Sequence, residues 1–247
     1  MTGAADPLTL PLLSLPGVPE AVAEARTAIE TLHRHPANRR GWPRTAAAAA
    51  VRAARASAAL DGAPLAVDPQ AQVVDDPVLA GSLRVGSALG ELAPVWQRSP
   101  LQALARLHLL AAADLADEGS LGRPSGRPGS APRLGLLAQV ATAAPWPGPV
   151  SVAVIHGELL AGPAAFEPAT GVVARAAARL QLISSGLDPK GLSVPEVVHL
   201  RSGSAYRTAA AAYATGDPEA VSAWILQVCR ALVGGAAEGT AIAEAAG

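Results

Sequence analysis

The residues of this chain best suited to chemistry lie in Ala164-Ala-Phe-Glu-Pro-Ala-Thr-Gly-Val-Val-Ala-Arg175. This segment joins an apolar helical stretch that runs into Pro163 to a second helical stretch at 172–184. A loop that feeds a helix N-terminus favours an anion, because unpaired backbone N–H groups and the helix dipole both point at it. Arg175 and Arg179 share one face of the second helix, so they either hold such an anion or form a surface pair. Glu167 is the only carboxylate in the loop. It is either a Mg²⁺ ligand in a re-formed loop or a solvated side chain. Attack by a hydroxyl needs a base near its proton, and phosphate charge needs a metal or an arginine. Ala164 cannot accept a proton, and Pro168 cannot hold a metal.

Other candidates are few. His156 sits in the apolar run Val152-Ala-Val-Ile-His156 with Glu158 nearby, and His108 ends Leu104-Ala-Arg-Leu-His108. Both read as satisfied core histidines ahead of catalytic bases. His33 and His35 flank Arg34 in a basic stretch after a helix, where the dipole favours cations, so a solvated helix end outweighs a metal site. Cys229 is the only cysteine, which excludes an intrachain disulfide and any cysteine-based zinc site. Beside Val228 and Leu232 it reads as a buried, inert thiol. No Walker-type loop, dinucleotide fingerprint, nucleophile elbow or zinc-protease motif is present.

Three positions of the loop carry a pattern. The spacing of Phe166, Gly171 and Arg175 resembles the signature of the Fic/Doc (Fido) family, His-Pro-Phe-x-(Asp/Glu)-Gly-Asn-Gly-(Arg/Lys)-x-x-Arg. Laid on this chain, the motif's His falls on Ala164, its acid on Pro168, its Asn on Thr170 and its first Arg on Val172. Further segments fit in order from about residue 42 to 186. Ser57-Ala-Ala-Leu-Asp-Gly62 is similar to the family's inhibitory motif, (Ser/Thr)-x-x-x-Glu-Gly, with Asp61 in place of Glu. His156 resembles the His that precedes the motif, with one extra residue between them around Gly162 and Pro163. The Gly/Pro/Arg-rich run 119–135, after His108, resembles the region of the substrate flap.

The resemblance implies an all-α, Fido-like helical bundle with N- and C-terminal helical extensions and a Gly/Pro-rich, flap-like loop. It implies a protein AMP-transferase ancestry with ATP and Mg²⁺ as the family's cofactors. The degenerate nucleotide or anion site would comprise Phe166, Glu167, Thr170, Gly171, Arg175 and Arg179. The inhibitory-like motif would comprise Ser57, Asp61 and Gly62, with Asp61 as the partner of Arg175. Asp is one methylene shorter than Glu, so that pair needs closer helices or a water. With base and metal ligand both replaced, a pseudoenzyme that binds a protein partner or a nucleotide is expected. The alternative is an active nucleotidyl- or phospho-transferase that uses altered residues. No residue is assigned a catalytic or metal-binding role.

Bulk properties frame these elements. The chain has 247 residues, half of them apolar but only 3% aromatic, and a net charge of −1. Ala and Leu, strong helix formers, make up much of the apolar mass. There is no polybasic footprint for nucleic acid. No uncharged apolar run reaches the ~18 residues of a membrane span. The stretch 1–19 has no basic n-region and is broken by Pro7, Pro11 and Pro16, unlike a signal peptide. A cytoplasmic protein is expected, and the Ala/Arg/Gly/Pro-rich, Lys-poor composition points by codon bias to a bacterium.

Ser99-Pro100, Asp76-Pro77 and Asp217-Pro218 each place an N-cap residue before a first-turn Pro. Ser193-Val-Pro-Glu196 reads as a capping box. Helices are expected near 18–34, 43–60, 77–96, 100–117, 149–161, 172–184, 194–201, 203–214 and 218–245. Four parts follow: 1–41, an N-terminal segment and helix; 42–118, helices with the inhibitory-like motif; 119–190, flap loop and Fido-like core; 191–247, C-terminal helices. The Gly/Pro-rich run is read as a loop, not an interdomain linker. Pro124, Pro128 and Pro132 lack an N–H, so strand addition there would be poor.

Overall fold

Proline sets many of the helix starts. Pro36, Pro77, Pro100, Pro195 and Pro218 each open a helix, where a missing N–H is harmless. The computed structural model describes residues 11–65, 74–143, 146–160 and 165–246. In chain order its helices are α1 (Val18–Arg34), α2 (Pro36–Arg40), α3 (Trp42–Leu60), α4 (Pro77–Arg98), α5 (Pro100–Ala112), α6 (Ser130–Ala143), α7 (Gly148–Leu160), α8 (Thr170–Ser184), α9 (Pro195–Ser202), α10 (Ser204–Tyr213) and α11 (Pro218–Ala246). No strand occurs among the described residues. The chain is all-α.

Two helices were not expected. The five-residue α2 begins at Pro36 inside the basic stretch, and α6 begins within the last residues of the Gly/Pro-rich run. Ser130-Ala-Pro-Arg is compatible with a helix because Pro132 falls in the first turn, where its N–H is not needed. α5 ends at Ala112, earlier than expected, so the irregular segment is 113–129.

The caps divide by chemistry. Asp76 accepts from Leu79 N–H at 2.8 Å, and Asp217 accepts from Ala220 N–H at 3.0 Å. Ser99 makes no side-chain cap. The expected capping box at Ser193 does not form. Ser193 Oγ donates instead to Asp188 Oδ2 at 2.7 Å, and Glu196 turns to Arg179. The buried carboxylate of Asp188 out-competes the cap. It accepts from Leu192 N, Ser193 N and Ser193 Oγ and contacts His33 Nε2 at 2.8 Å. Burial works against the Asp188 charge, but these hydrogen bonds outweigh it and hold the carboxyl below its usual range. His33 is therefore a packed partner of Asp188, not a solvated helix end.

A principal core runs from Leu12 to Ala236 and draws on segments from both sides of the 113–129 loop. α11 lies at its centre, against α1, α3, α7, α9 and α10. By length and composition alone α11 could cross a membrane, yet 56% of its apolar window is buried in the bundle. That burial accounts for its composition. Cys229 is buried on α11, and desolvation pushes its thiol up to about 12, as suits an inert core cysteine. α7 and α8 pack along their lengths, and α8 also meets α3, α4 and α5. The helices on either side of the motif loop are thus neighbours. Gly162, Pro163 and Ala164 lie outside the described residues.

Candidate functional site: the end of helix α3 against the start of helix α8

α3 ends where α8 begins, and a glycine at each end makes the junction possible. Gly62, with φ +100°, closes α3. Gly62 N–H bonds to Ala59 O at 3.2 Å, and Ala63 N–H reaches Ala58 O at 3.0 Å, the paired bonds of a left-handed C-terminal cap. Asp61 is left at the C-cap, just past Leu60, an unfavourable place for a carboxylate beside the α3 dipole. The opposite pole compensates, because Asp61 lies against the first turn of α8. A Cβ built at Gly171 would overlap both Asp61 carboxylate oxygens, so only glycine lets the carboxylate come this close. Close helix approach therefore makes up for the shorter acid, and the Asp61–Arg175 contact is direct, at 2.8 Å.

Arg175 is the hub. It is 3% exposed, on the buried face of α8. Its Nε donates to Ser57 Oγ at 2.8 Å, and its Nη2 donates to Ser57 O at 2.9 Å and to Asp61 Oδ1. Tyr206 of α10 also hydrogen-bonds to it. Burial disfavours the guanidinium charge, yet Tyr206 and Asp61 outweigh it and keep Arg175 more basic than usual. Tyr206 OH contacts His156 Nε2 at 2.8 Å. The His199 ring lies 4.5 Å from Tyr206 and 5.2 Å from His156. Burial pushes Tyr206 up to about 12, against the pull of Arg175, and drives His199 down to about 3. His156 is lowered well below its usual value by burial, then by His199 and Arg175. The neutral His156 shares one hydrogen bond with the Tyr206 hydroxyl. It is a core histidine, as its apolar context implied.

Arg179 has a different task. It is 7% exposed and donates to Ser193 O at 2.9 Å, Gly191 O at 3.1 Å and Glu196 Oε2 at 3.3 Å. Neither the surface-pair reading of the two arginines nor the shared anion site is what the geometry shows. Arg175 ties α8 to α3 and α10, while Arg179 ties α8 to the 191–196 segment.

The remaining motif positions are accounted for as follows. Phe166 is buried, with His108 at 5.4 Å between ring centroids. Thr170 Oγ1 is buried without a described partner. Glu167, expected to be solvated, pairs with Arg127 Nη2 at 2.6 Å, although both side chains stay about half exposed. The loop that carries Arg127 is fastened to the motif loop by two more links. Ser125 N–H donates to Ala165 O at 2.8 Å. His108 accepts from Gly122 N–H through Nδ1 at 3.1 Å and reaches Glu167 O through Nε2 at 3.1 Å. Burial lowers His108, partly offset by the Glu167 carbonyl.

Sequence reasoning missed Tyr206, Arg207 and His199. They come from helices remote in sequence, and their only signal was aromatic and basic residues on the short C-terminal helices. Together with Leu60, Asp61, Leu160, Gly171 and Arg175, Tyr206 and Arg207 line a cleft of about 230 Å³. Arg207 is exposed at this cleft and has no ion-pair partner among the described residues.

No family model matches the chain, and no curated protein matches it. Among solved structures it is similar to a Fic family protein from Desulfovibrio desulfuricans G20. That likeness has a TM-score of 0.69 and 20% identity, over 92% of this chain and 74% of the other. This chain has the Fic fold. The all-α architecture expected from the resemblance is the one observed, and the inhibitory-like motif and the motif arginine meet in space.

The buried histidines carry a pH signature. His108, His156 and His199 all have folded pKa values below 6.5. Their contribution to stability is complete above the unfolded pKa of 6.5 and is lost as pH falls through the folded values. Each can cost up to about 1.4 kcal/mol per pH unit in that window. Chemical denaturation between pH 7 and pH 4.5 should show stability falling from about 6.5 downward. A flat profile would mean that these imidazoles are open to water.

Proposed function

We propose that this protein is a binding protein built on the Fic fold, related to protein AMP-transferases, and that it engages a protein partner, in place of a nucleotide, through the cleft beside Asp61. One observation carries the reading. The anion position at the start of α8 is taken by the chain's own Asp61 carboxylate, seated on Gly171 and paired with Arg175.

ATP and Mg²⁺ do not fit these residues. Pro168 offers no metal donor, Ala164 offers no base, and a phosphate on α8 would collide with Asp61. Among the described residues, no group of three or more His, Cys, Asp or Glu could hold a metal. The cleft of about 230 Å³ is also small against the ~300–1,000 Å³ of usual ligand sites, which favours a protein partner over a whole nucleotide. A cytoplasmic setting in a bacterium and the four-part organisation at 1–41, 42–118, 119–190 and 191–247 belong to the same proposal.

The expected result is that purified protein transfers no labelled AMP to itself or to hydroxyl-bearing proteins with ATP and Mg²⁺. The reading fails if AMP is transferred above background and the transfer is abolished in Arg175→Ala, or in Glu167→Gln, whose exposed pair leaves the fold intact. Restoring the base alone, as Ala164→His, should not create transfer, because Pro168 and Thr170 also depart from the motif.

A further inference from the structure

Charge is sharply segregated along this chain. Between Thr31 and Leu60 there are six arginines and no carboxylate, while the other residues hold thirteen cations against twenty carboxylates. Arg34 pairs with Glu30, and Arg52 pairs with Glu238. Arg39, Arg40, Arg44 and Arg55 are exposed and have no hydrogen-bond or ion-pair partner among the described residues. They contribute nothing visible to the fold, and their mutual repulsion works against it.

Their arrangement is regular. The inner face of α3 buries Ala49, Ala53, Ala56 and Ser57. The outer face exposes Arg44, Ala47, Ala48, Val51, Arg52 and Arg55, spaced three or four residues apart. This stripe is about 16 Å long at 1.5 Å per residue. Its middle is smooth and apolar, with Val51 43% exposed between small alanines. At its N-terminal end Trp42 is 39% exposed, with Lys190 Nζ over its ring at 5.9 Å. Arg and Trp are the side chains that anchor protein interfaces.

We infer that the outer face of α2 and α3 is a docking surface for an acidic amphipathic helix of another protein. The apolar side of that helix would lie along Ala47, Ala48 and Val51. Its carboxylates would meet Arg44 and Arg55 in forked pairs, and Trp42 would cap one end. A nucleic acid or an anionic membrane would use the same charges. Neither explains a flat alanine track flanked by arginines, and one tryptophan is a shallow membrane anchor. This face lies on the opposite side of α3 from Ser57 and the cleft, so the inference stands apart from the function proposed above.

Fluorescence anisotropy with the full chain tests it against four labelled probes. The first is an acidic amphipathic peptide of about four helical turns. The others are the same peptide scrambled to remove its helical face, an oligo-dT strand, and phosphatidylserine-containing vesicles. The helical peptide should bind at micromolar concentration. Binding should weaken about tenfold in Arg44→Glu with Arg55→Glu, and again at high salt. The melting temperature of that variant should not fall, since neither side chain has a hydrogen-bond or ion-pair partner among the described residues. The inference is overturned if the helical peptide does not bind, or if charge reversal leaves its affinity unchanged. Equal affinity for the scrambled peptide would reduce the face to generic charge attraction and also overturn it. Tighter binding of the DNA or the vesicles through the same arginines would reassign the surface. Self-association that charge reversal abolishes would assign it to a second copy of this chain instead.

Discussion

Asp61→Ala is expected to lower stability by about 2–3 kcal/mol, less than the ~3–5 kcal/mol for breaking a fully buried pair, because one partner here is partly exposed. Arg175 is 3% exposed, while Asp61 is about a quarter exposed. The guanidinium would lose its carboxylate but keep Ser57 and Tyr206, which limits the loss. For a chain of this size the melting temperature should fall by roughly 4–12 °C. Asp61→Asn should recover part of the loss, because an amide oxygen can still accept from Nη2. Gly171→Ala should cost a similar amount by another route, since its new Cβ overlaps the Asp61 oxygens. The double variant should then be much less unstable than the sum of the two, because both changes break one contact. Full additivity would mean that Asp61 and Gly171 are not parts of one junction.

Arg179→Ala is expected to cost more, about 3–5 kcal/mol, or roughly 6–20 °C. It strands the buried Glu196 carboxylate and leaves the carbonyls of Ser193 and Gly191 without a donor. The two arginines are one helical turn apart, but their losses should differ in kind. Arg179→Ala should detach the 191–196 segment and leave the junction of α3 and α8 intact. If urea denaturation of Arg179→Ala matched wild type, the ties to Ser193, Gly191 and Glu196 would be energetically empty.

The contrast between these arginines shows what the sequence could and could not reveal. Helical periodicity put Arg175 and Arg179 on one face, and that is correct. Which groups meet that face depends on segments remote in the chain, and periodicity is silent about them. Arg175 could be paired with Asp61 only through the resemblance of the two motifs to the Fic/Doc family, which implies that contact. The joint roles of Gly62 and Gly171 in bringing the helices close needed the three-dimensional contact. The helix starts were legible because proline and its capping acid act locally. α6 was not, because Pro132 looks like a breaker until it falls in the first turn. The Ser193 cap failed because a buried Asp188, held by His33 from the other end of the chain, offered a stronger acceptor. Glu167 looked solvated because Arg127 is forty residues away.

The central claim is that Asp61 fills the anion position at the start of α8. Thermal shift of wild type and Asp61→Ala, each with inorganic phosphate, ATP, ADP or GTP and with or without Mg²⁺, tests it most directly. Wild type should not respond, because its own carboxylate holds the site. Asp61→Ala should be stabilised by phosphate-bearing ligands, since Arg175 and the α8 N-terminus are then free to take them; saturation at about a hundred times Kd would recover roughly 2.7 kcal/mol. A wild-type shift with ATP as large as that of the variant would contradict the account, since the nucleotide would then bind with Asp61 in place.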